Sequence, residues 1–545
     1  MFQFSLIDGF VFLFIGNIFL AAFVFNDTPA NLTKLVIVTL LLVLYLCIRL
    51  LSYSKQKIIQ FFCFFIIVSG LVEAIWGLLQ LYGFRQSQHG LFTLTGSFFN
   101  PGPYAGYLAV VFPLTLYESL SYPSNRGVLA VMMKRIVAVI TCIAILLVLP
   151  AAMSRASWLA AIAGSIVVIV RNGLLRRFIP RKDAGLKIFI VIMVICLLIA
   201  SFTGMYYLKK DSANGRLLTW KVSISALIKH PLGVGLGHFP SAYGEAQACY
   251  FASGNASETD EYVAGNPEYG FNEFLQIAVE SGIFSLLLFS GILVCAYQGL
   301  MKSENWGVMG ALTALLVFAC FSYPFSVLPF LIVFVFLLAM SGGTRMTRIR
   351  RIRRIGTGFF SIRGVYVAVG CLIVTTFCLW KQYPVYDAYR QWKKCQMNYQ
   401  MWRYEEVVQC YEPLYPYLND RINFLFEYGR SLSQLNQPEK SNEILRHAIQ
   451  ISCDPMLYNI MGKNYQVMKE YELAEKNFRK ATLIVPNRIY PYYLLMKLFF
   501  ESGNMEKALE NAEIVLTKEP KVKSTAVREM RNEARLIIHY ELKPH

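Results

Sequence analysis

Charged residues are scarce in this 545-residue sequence. They make up 16% of the chain, while 56% of its residues are hydrophobic. An ordinary soluble domain has about 25% charged residues, and a soluble protein of this size could not bury so much apolar surface. The distribution is also uneven, because long apolar runs fill residues 1–381 whereas residues 382–545 have the composition of a soluble protein.

Patterns for metal and nucleic-acid binding are missing. None of the twelve cysteines forms a CxxC pair and no acidic cluster suggests a metal, so we predict no metal and no cofactor. Cys395 and Cys410 could pair if their helices are neighbours, although we favour two free thiols. The net charge of +18 does not indicate nucleic-acid binding, because much of it lies in short loops between apolar runs.

The apolar runs predict about eleven transmembrane helices, since a spanning helix needs about 20 mostly apolar residues. Basic loops follow the second, fourth, sixth and tenth runs, which places those loops and the N-terminus in the cytoplasm. The loop 209–270 and everything after residue 381 then lie on the outer face. The predicted spans are near 5–25, 32–51, 58–82, 102–120, 133–151, 155–172, 186–207, 271–298, 306–322, 325–341 and 363–381.

The C-terminal region contains an internal repeat. Segments 455–488 and 489–522 match at a period of 34 residues, and a weaker copy covers about 421–454. Gly462, Ala474, Phe478, Ala481 and Pro486 fit the tetratricopeptide pattern. The predicted fold is therefore all-α: a polytopic membrane helix bundle (1–381) and an α-solenoid (382–545). Solenoids commonly bind partner proteins; the alternative is a spacer or stabilising cap.

Two polar turns stand beside predicted spans on the outer face, where polar groups are usually functional. Asn100 opens the fourth span and could bind a substrate or cap the helix. Arg155 lies between the fifth and sixth spans and breaks the positive-inside trend. It could extend to lipid headgroups, but we favour a side chain that points into the bundle and binds an anion bidentately, through two N–H groups of its guanidinium.

The outer loop adds a basic and aromatic helix face followed by alternating glycines. Residues 216–229 predict an amphipathic helix that places Arg216 and Trp220 on one face, with Lys221 next to them. Gly233 and Gly235 would let the backbone approach a ligand closely. No strand precedes these glycines, which excludes a Rossmann nucleotide site.

A polar stripe enters the eighth predicted span. Asn272, Gln276 and Glu280 recur every four residues and therefore share one helix face, with Tyr269 and Glu273 beside them. Such a stripe must face the protein interior or a wet cavity. We favour cavity lining over a hydrogen-bond seam between helices.

In order and spacing, the motifs at Asn100, at Arg155, in the outer loop and at the start of the eighth span resemble those of the O-antigen ligase and polymerase superfamily. This superfamily includes bacterial oligosaccharyltransferases for protein O-glycosylation. The resemblance covers roughly residues 60–340 and comprises Asn-Pro, Ser-Arg, Arg…Trp…Pro-Leu-Gly-Val-Gly and Asn-x-x-Leu-Gln…Glu-x-Gly. It implies a GT-C-like glycosyltransferase of the bacterial inner membrane with its site on the periplasmic face. The donor would be a glycan on undecaprenyl diphosphate. The acceptor would be lipid A–core, a growing glycan or a protein Ser/Thr hydroxyl.

The resemblance also implies residue roles. Arg155 and Arg216 match the family arginines and would stabilise the departing diphosphate. Many members carry a histidine where this chain has Phe271, so Glu268, Glu273, Glu280 or His238 could act as the base, or none is needed. We predict Glu280 as the third catalytic residue. The predicted substrate-binding residues are Asn100, Trp220, Lys221, Gly233, Gly235, His238, Tyr269, Asn272, Glu273 and Gln276.

Two other functions are compatible with parts of the sequence. A transporter of polyisoprenoid-linked glycans would need a polar path to both faces, whereas the polar residues here gather on the outer one. A non-catalytic scaffold for envelope assembly would use the repeats to gather partners, and the missing histidine keeps this alternative open.

Overall fold

The computed structural model describes residues 5–25, 28–54, 56–120, 128–171, 210–342, 362–521 and 524–541. Helices dominate this part of the chain and it contains no β-strand, which confirms the all-helical prediction. The predicted span 186–207 and the basic cluster 345–354 lie outside the described residues.

The first part of the chain forms a bundle of apolar helices. In the described ranges, six helices contain segments long and apolar enough to cross a membrane, namely Leu6–Phe23, Leu32–Leu51, Gln60–Leu81, Val131–Val148, Glu273–Ser303 and Tyr366–Gln400. The protein is therefore membrane-embedded, while the count of eleven spans stays a prediction. The helices of the bundle are α1 (Leu6–Phe23), α2 (Leu32–Ser54), α3 (Gln56–Leu81), α4 (Pro101–Leu120), α5 (Val128–Val148) and α6 (Arg155–Arg171), then α10 (Glu273–Ser303), α11 (Trp306–Ala319), α12 (Leu328–Ser341) and α13 (Ile362–Gln400).

Small residues let the helices around the bundle core approach closely. A Cβ added to Gly164 of α6 would lie 2.6 Å from the carbonyl oxygen of Gly310 in α11, so these two backbones are in direct contact. Such contacts between small residues are typical of membrane helices. The contact holds the N-terminus of α6, which carries Arg155, beside the end of α11.

Between α6 and α10 the described residues begin at Lys210 and contain three helices: α7 (Lys210–Lys229), α8 (Phe239–Ala252) and α9 (Glu258–Val263). We call residues 210–272, which the sequence predicts to lie on the outer face, the outer segment. Leu218 and Val222 of α7 pack with Phe239 and Tyr243 of α8 in a buried apolar cluster. The cluster continues into the repeat region through Cys453, Ile484 and Val485. The outer segment thus has a core of its own, shared with the C-terminal part of the chain.

The last membrane helix continues without a break into the repeat region. The predicted boundary at residue 382 falls inside α13, which ends at Gln400. After a short turn the chain reverses into α14 (Tyr404–Tyr411), and a disulfide joins Cys395 of α13 to Cys410 of α14. The interpretation of these cysteines as free thiols was therefore wrong, because the reversal places their helices side by side.

Three helix pairs make up most of the described residues after α14. The pairs are α16 (Ile422–Gln434) with α17 (Pro438–Ile451), α18 (Pro455–Val467) with α19 (Tyr471–Ile484), and α20 (Ile489–Glu501) with α21 (Met505–Thr517), after the short helix α15 (Tyr415–Leu418) and before α22 (Thr525–Glu541). Ala474, Phe478 and Ala481 are fully buried, and Gly462 lies against the Phe478 ring. The residues picked out by the repeat pattern thus pack inside a helix pair, while the tetratricopeptide assignment stays a prediction.

The repeat region docks onto the outer segment. The Asn487 amide, between α19 and α20, donates hydrogen bonds to the carbonyl oxygens of Glu261, Tyr262 and Ala264 at 3.0, 3.1 and 2.8 Å. Lys480 forms an ion pair with Glu245 at 2.5 Å. One side of the repeat region therefore covers part of the outer segment.

Candidate active site

The turns on one side of the bundle surround a cavity of about 520 Å³. They come from separate parts of the chain and meet because α4, α6 and α11 pack against one another. By the predicted orientation all of them lie on the outer face. The lining consists of residues 91–94, 100–102 and 151–156, Ser212 and Arg216 of α7, and Phe271, Phe318, Ser322 and Tyr323.

Two arginines line this cavity from different elements. Arg155 is at the N-terminus of α6, and Arg216 lies in the middle of α7. Burial lowers the pKa of Arg216, and the positive charge of Arg155 lowers it further. The two guanidinium groups are therefore close enough to repel each other. Within the described residues, no carboxylate forms an ion pair with Arg216. The cavity therefore concentrates positive charge and suits an anion.

An aromatic wall closes one side of the cavity. Tyr323 and Phe271 line it with ring centroids 5.6 Å apart. The ring of Tyr269 stacks on that of Tyr323, with 4.4 Å between the two centroids. The guanidinium carbon of Arg216 lies 5.5 Å from the centre of the Phe271 ring. Phe271 has φ +48°, a rare backbone conformation for a bulky residue. An aromatic ring thus occupies the position where a histidine was expected.

Asn100 caps α4 and also lines the cavity. Its side-chain oxygen accepts a hydrogen bond from the Gly102 amide at 2.9 Å, as expected of a residue that caps α4. The same residue lines the cavity, and its amide nitrogen is a further possible donor for a ligand.

A second cavity of about 360 Å³ adjoins the first at Ser212, Arg216 and Phe271, which line both. Polar groups of α7 and of the loop after α9 form much of its wall. Asp211 is the one carboxylate that lines either cavity in the described part of the chain. The repeat region reaches this neighbourhood, because burial and Arg488 lower the pKa of Lys521 while Asp211 opposes that change.

The glycines of the outer loop serve backbone packing. The amides of Val234 and Gly235 donate to the carbonyl oxygens of Val279 and Glu280 at 2.9 and 2.8 Å. A Cβ on Gly233 would lie 2.6 Å from the backbone nitrogen of Gly282, the residue at which α10 departs from helical geometry. Gly233 and Gly235 are buried and do not line either cavity.

The polar stripe of α10 also lies away from both cavities. Asn272 caps the helix by accepting from Phe274 and Leu275. Glu273 accepts from the Phe325 amide at 2.6 Å, and Gln276 accepts from the Gly270 amide at 3.1 Å. Glu280 is buried, with an Oε1 that has no hydrogen-bond partner among the described residues. Asn272, Glu273 and Gln276 thus make the hydrogen bonds of the seam, the less favoured interpretation of the stripe. No side-chain hydrogen bond among the described residues brings Glu280 into it.

Three further predicted binding residues also lie outside the cavities. Trp220 packs on Phe321 with ring centroids 6.0 Å apart. The Lys221 ammonium donates to the Tyr250 hydroxyl at 2.7 Å on the surface of the outer segment. The ring nitrogens of His238 lie 2.9 Å from the Gln450 carbonyl oxygen and 3.0 Å from that of Pro29, so His238 connects the repeat region to the α1–α2 turn.

Tyr323 and Asp211 are among the cavity residues that sequence reasoning missed. Tyr323 falls in the turn between the ninth and tenth predicted spans, and the orientation that placed Arg155 outside also places this turn outside. A search for polar residues in all of the predicted outer turns could therefore have found Tyr323. Asp211 has no comparable local pattern, because it is an ordinary acidic residue at the start of α7.

The fold and the cavities define a membrane-embedded helical protein with an arginine-lined cavity at one end of its bundle. Residues 105–290 match the family model for O-antigen ligase, a segment of about one third of the chain that contains both cavity arginines. A comparison with curated proteins gives no match. The family match supports the resemblance to the ligase superfamily. It indicates a glycosyltransferase-type function in a membrane, with a lipid-linked glycan and an acceptor as its general substrates.

Proposed function

We propose that this protein transfers a glycan from undecaprenyl diphosphate to an acceptor hydroxyl at the periplasmic face of a bacterial inner membrane. The observation that carries the proposal is the convergence of Arg155 and Arg216 on one cavity at the end of the bundle. Guanidinium groups match the geometry of phosphate oxygens. A diphosphate bound there would leave its isoprenoid chain free to extend toward the membrane.

The charge in this cavity fits the needs of the reaction. When the bond between the anomeric carbon and the diphosphate breaks, the diphosphate leaves with both electrons and gains negative charge. Positive groups held in advance at that position stabilise the transition state more than the ground state. The aromatic wall of Phe271 and Tyr323 would hold the glycan beside the arginines, since aromatic rings suit the apolar faces of sugars.

The second cavity is a suitable site for the acceptor, because the two cavities meet at Arg216 and Phe271. The acceptor oxygen would attack the anomeric carbon from this side, and its proton would pass to the Asp211 carboxylate. Asp211 takes the role that the sequence offered to Glu268, Glu273, Glu280 or His238, since none of those four lines either cavity. The mixed polar and apolar wall of this cavity is compatible with all three acceptor classes: lipid A–core, a growing glycan or a protein hydroxyl.

The disulfide supports the proposed orientation. Disulfides persist in oxidising compartments such as the periplasm and are rare in the cytosol. Cys395 lies in the last turns of α13, past residue 381 where the predicted span ends, and it is bonded to Cys410 of α14. It agrees with the placement of the repeat region outside, which the basic loops predict independently.

The proposal is tested by a glycan-transfer assay in cells that lack this protein. Lipopolysaccharide and glycoproteins are compared on gels after return of wild type, Arg155→Ala, Arg216→Ala or the control Lys229→Ala. Lys229 is an exposed residue of α7 outside both cavities. We expect wild type and the control to restore a glycan to one acceptor pool, and the two cavity variants to fail. No change in any pool with wild type, or full transfer by both cavity variants at normal protein levels, would contradict the proposal.

A further inference from the structure

A separate groove of about 680 Å³ lies where α13 meets the first helices of the repeat region. One wall is the stretch of α13 from Leu379 to Tyr389, and the other is formed by Leu418 and Arg421. It shares no lining residue with the two cavities of the candidate active site. The groove is therefore a distinct feature of the protein.

The predicted end of the last span at residue 381 places the groove at the level of the lipid headgroups. Just below it, Leu372, Phe377 and Trp380 are 66%, 56% and 67% exposed, as expected of side chains that face lipid. The predicted span ends at residue 381, and the next residues of α13 rise by about 1.5 Å each. The stretch from Leu379 to Tyr386 thus rises about 10 Å, enough to cross a headgroup layer of roughly 5–8 Å.

The aromatic side chains of the groove suit this level. Tyr383 and Tyr386 are 69% and 60% exposed. Tyrosine is enriched at the membrane interface because its ring can lie among acyl chains while its hydroxyl reaches the headgroups. Leu379 at the lower end offers an apolar surface to an acyl chain.

Arg421 gives the groove its charge. It is the one charged residue that lines the groove in the described part of the chain. Its Nε lies 3.4 Å from the Asp420 carboxylate but has no hydrogen-bond partner among the described residues. The buried Nε is not available to a lipid, so the two terminal nitrogens of the partly exposed side chain are the donors that reach a phosphate, which they can bind with parallel hydrogen bonds.

We propose that this groove binds an anionic phospholipid, with its phosphate on Arg421 and an acyl chain along Leu379 and Tyr383. The lipid comes from the leaflet that adjoins the repeat region, and its net negative charge is favoured over a zwitterionic headgroup by the nearby cation. Bound there, it ties the first repeat helices to the membrane surface. The site goes beyond the proposed function, because it requires no glycan transfer.

The test uses the purified full-length protein in detergent. Native mass spectrometry counts the phosphatidylglycerol or phosphatidylcholine molecules that stay bound when equal amounts of each are added. Wild type should retain phosphatidylglycerol preferentially, and Arg421→Gln should reduce that retention about fivefold, the value of one basic residue near an anionic surface. Arg421→Lys should keep most of it. The control Arg446→Gln, an exposed arginine of α17 near the Tyr465 hydroxyl, should behave as wild type.

A second variant changes the opposite wall of the groove. Tyr383→Ala combined with Tyr386→Ala should lower phosphatidylglycerol retention as Arg421→Gln does, with an unchanged unfolding temperature in lipid-free detergent. Equal retention of the two lipids by wild type would overturn the proposal. So would normal phosphatidylglycerol retention in Arg421→Gln or in the double tyrosine variant.

Discussion

Two groups of polar side chains lie at the outer end of the membrane bundle, and the protein uses them in different ways. In the stripe of α10, Asn272, Glu273 and Gln276 accept hydrogen bonds from backbone amides of the chain itself. In the cavity, Arg216 touches the Phe271 ring and forms no ion pair with the described residues. Hydrogen bonds within the chain account for these three residues of the stripe, whereas the charge of Arg216 serves a ligand in the function that we propose.

This difference gives a criterion for assigning roles in a membrane protein. Type and position alone do not separate a structural carboxylate such as Glu273 from a catalytic candidate such as Asp211. The hydrogen-bond partners do, because a side chain satisfied within the protein has little capacity left for a substrate. Variants in the cavity should therefore reduce activity without unfolding the protein, and variants in the stripe should do the opposite.

The largest expected effect is that of Asp211→Asn. The amide cannot accept the acceptor proton, so the rate of transfer should fall about 100-fold while the unfolding temperature stays that of wild type. Single-turnover transfer by the purified protein measures this. Transfer at the wild-type rate would remove Asp211 from the mechanism while leaving the arginine site intact.

Gly233→Ala should reduce stability by roughly 3 kcal/mol. The new methyl group would meet the backbone of Gly282, which has no room to move. Gly254→Ala is a matched control, because Gly254 also has positive φ but has nothing within 4 Å of the added atom. Thermal unfolding of both variants in detergent measures the difference. Equal unfolding temperatures would show that the contact with α10 does not constrain the loop.

Gln276→Leu should cost about 2 kcal/mol, since it leaves the buried Gly270 amide without a partner. The transfer activity of each folded molecule should not change, because Gln276 lines neither cavity. Activity is normalised to the folded fraction from size-exclusion chromatography. A loss of activity in fully folded Gln276→Leu would mean that the stripe takes part in substrate binding after all.

The smallest effect is expected for Asn487→Ala, about 1 kcal/mol confined to the contact between the repeat region and the outer segment. Hydrogen exchange at residues 258–267 should become faster, with exchange in α4 and α6 unchanged. Unaltered exchange at 258–267 would show that the Asn487 hydrogen bonds do not hold this loop.

Much of the fold follows from local patterns in the sequence. Apolar runs identify membrane helices because the bilayer sets their length, and small residues at fixed spacing identify helix pairs such as the one that packs Gly462 on Phe478. The Cys395–Cys410 bond could not be derived in this way. It depends on the reversal between α13 and α14, a tertiary feature that composition does not encode.

The site was predictable only in part. Arg155, Arg216 and Asn100 could be identified because polar residues on one side of a membrane tend to converge, and the structure does bring them to one cavity. The positions of Gly233, Gly235 and Glu280 could not, since a glycine beside a ligand and a glycine beside another backbone look alike in sequence. Only long-range packing distinguishes the two cases.

The central claim is that Arg155 and Arg216 together bind a lipid-linked diphosphate. The most direct test measures the affinity of the purified full-length protein for undecaprenyl diphosphate, for wild type, Arg155→Ala, Arg216→Ala and Lys229→Ala. Loss of one charge-assisted contact of about 1.4 kcal/mol or more should weaken binding at least about tenfold in each cavity variant, with Lys229→Ala unchanged. Equal affinity in wild type and both cavity variants would contradict the account.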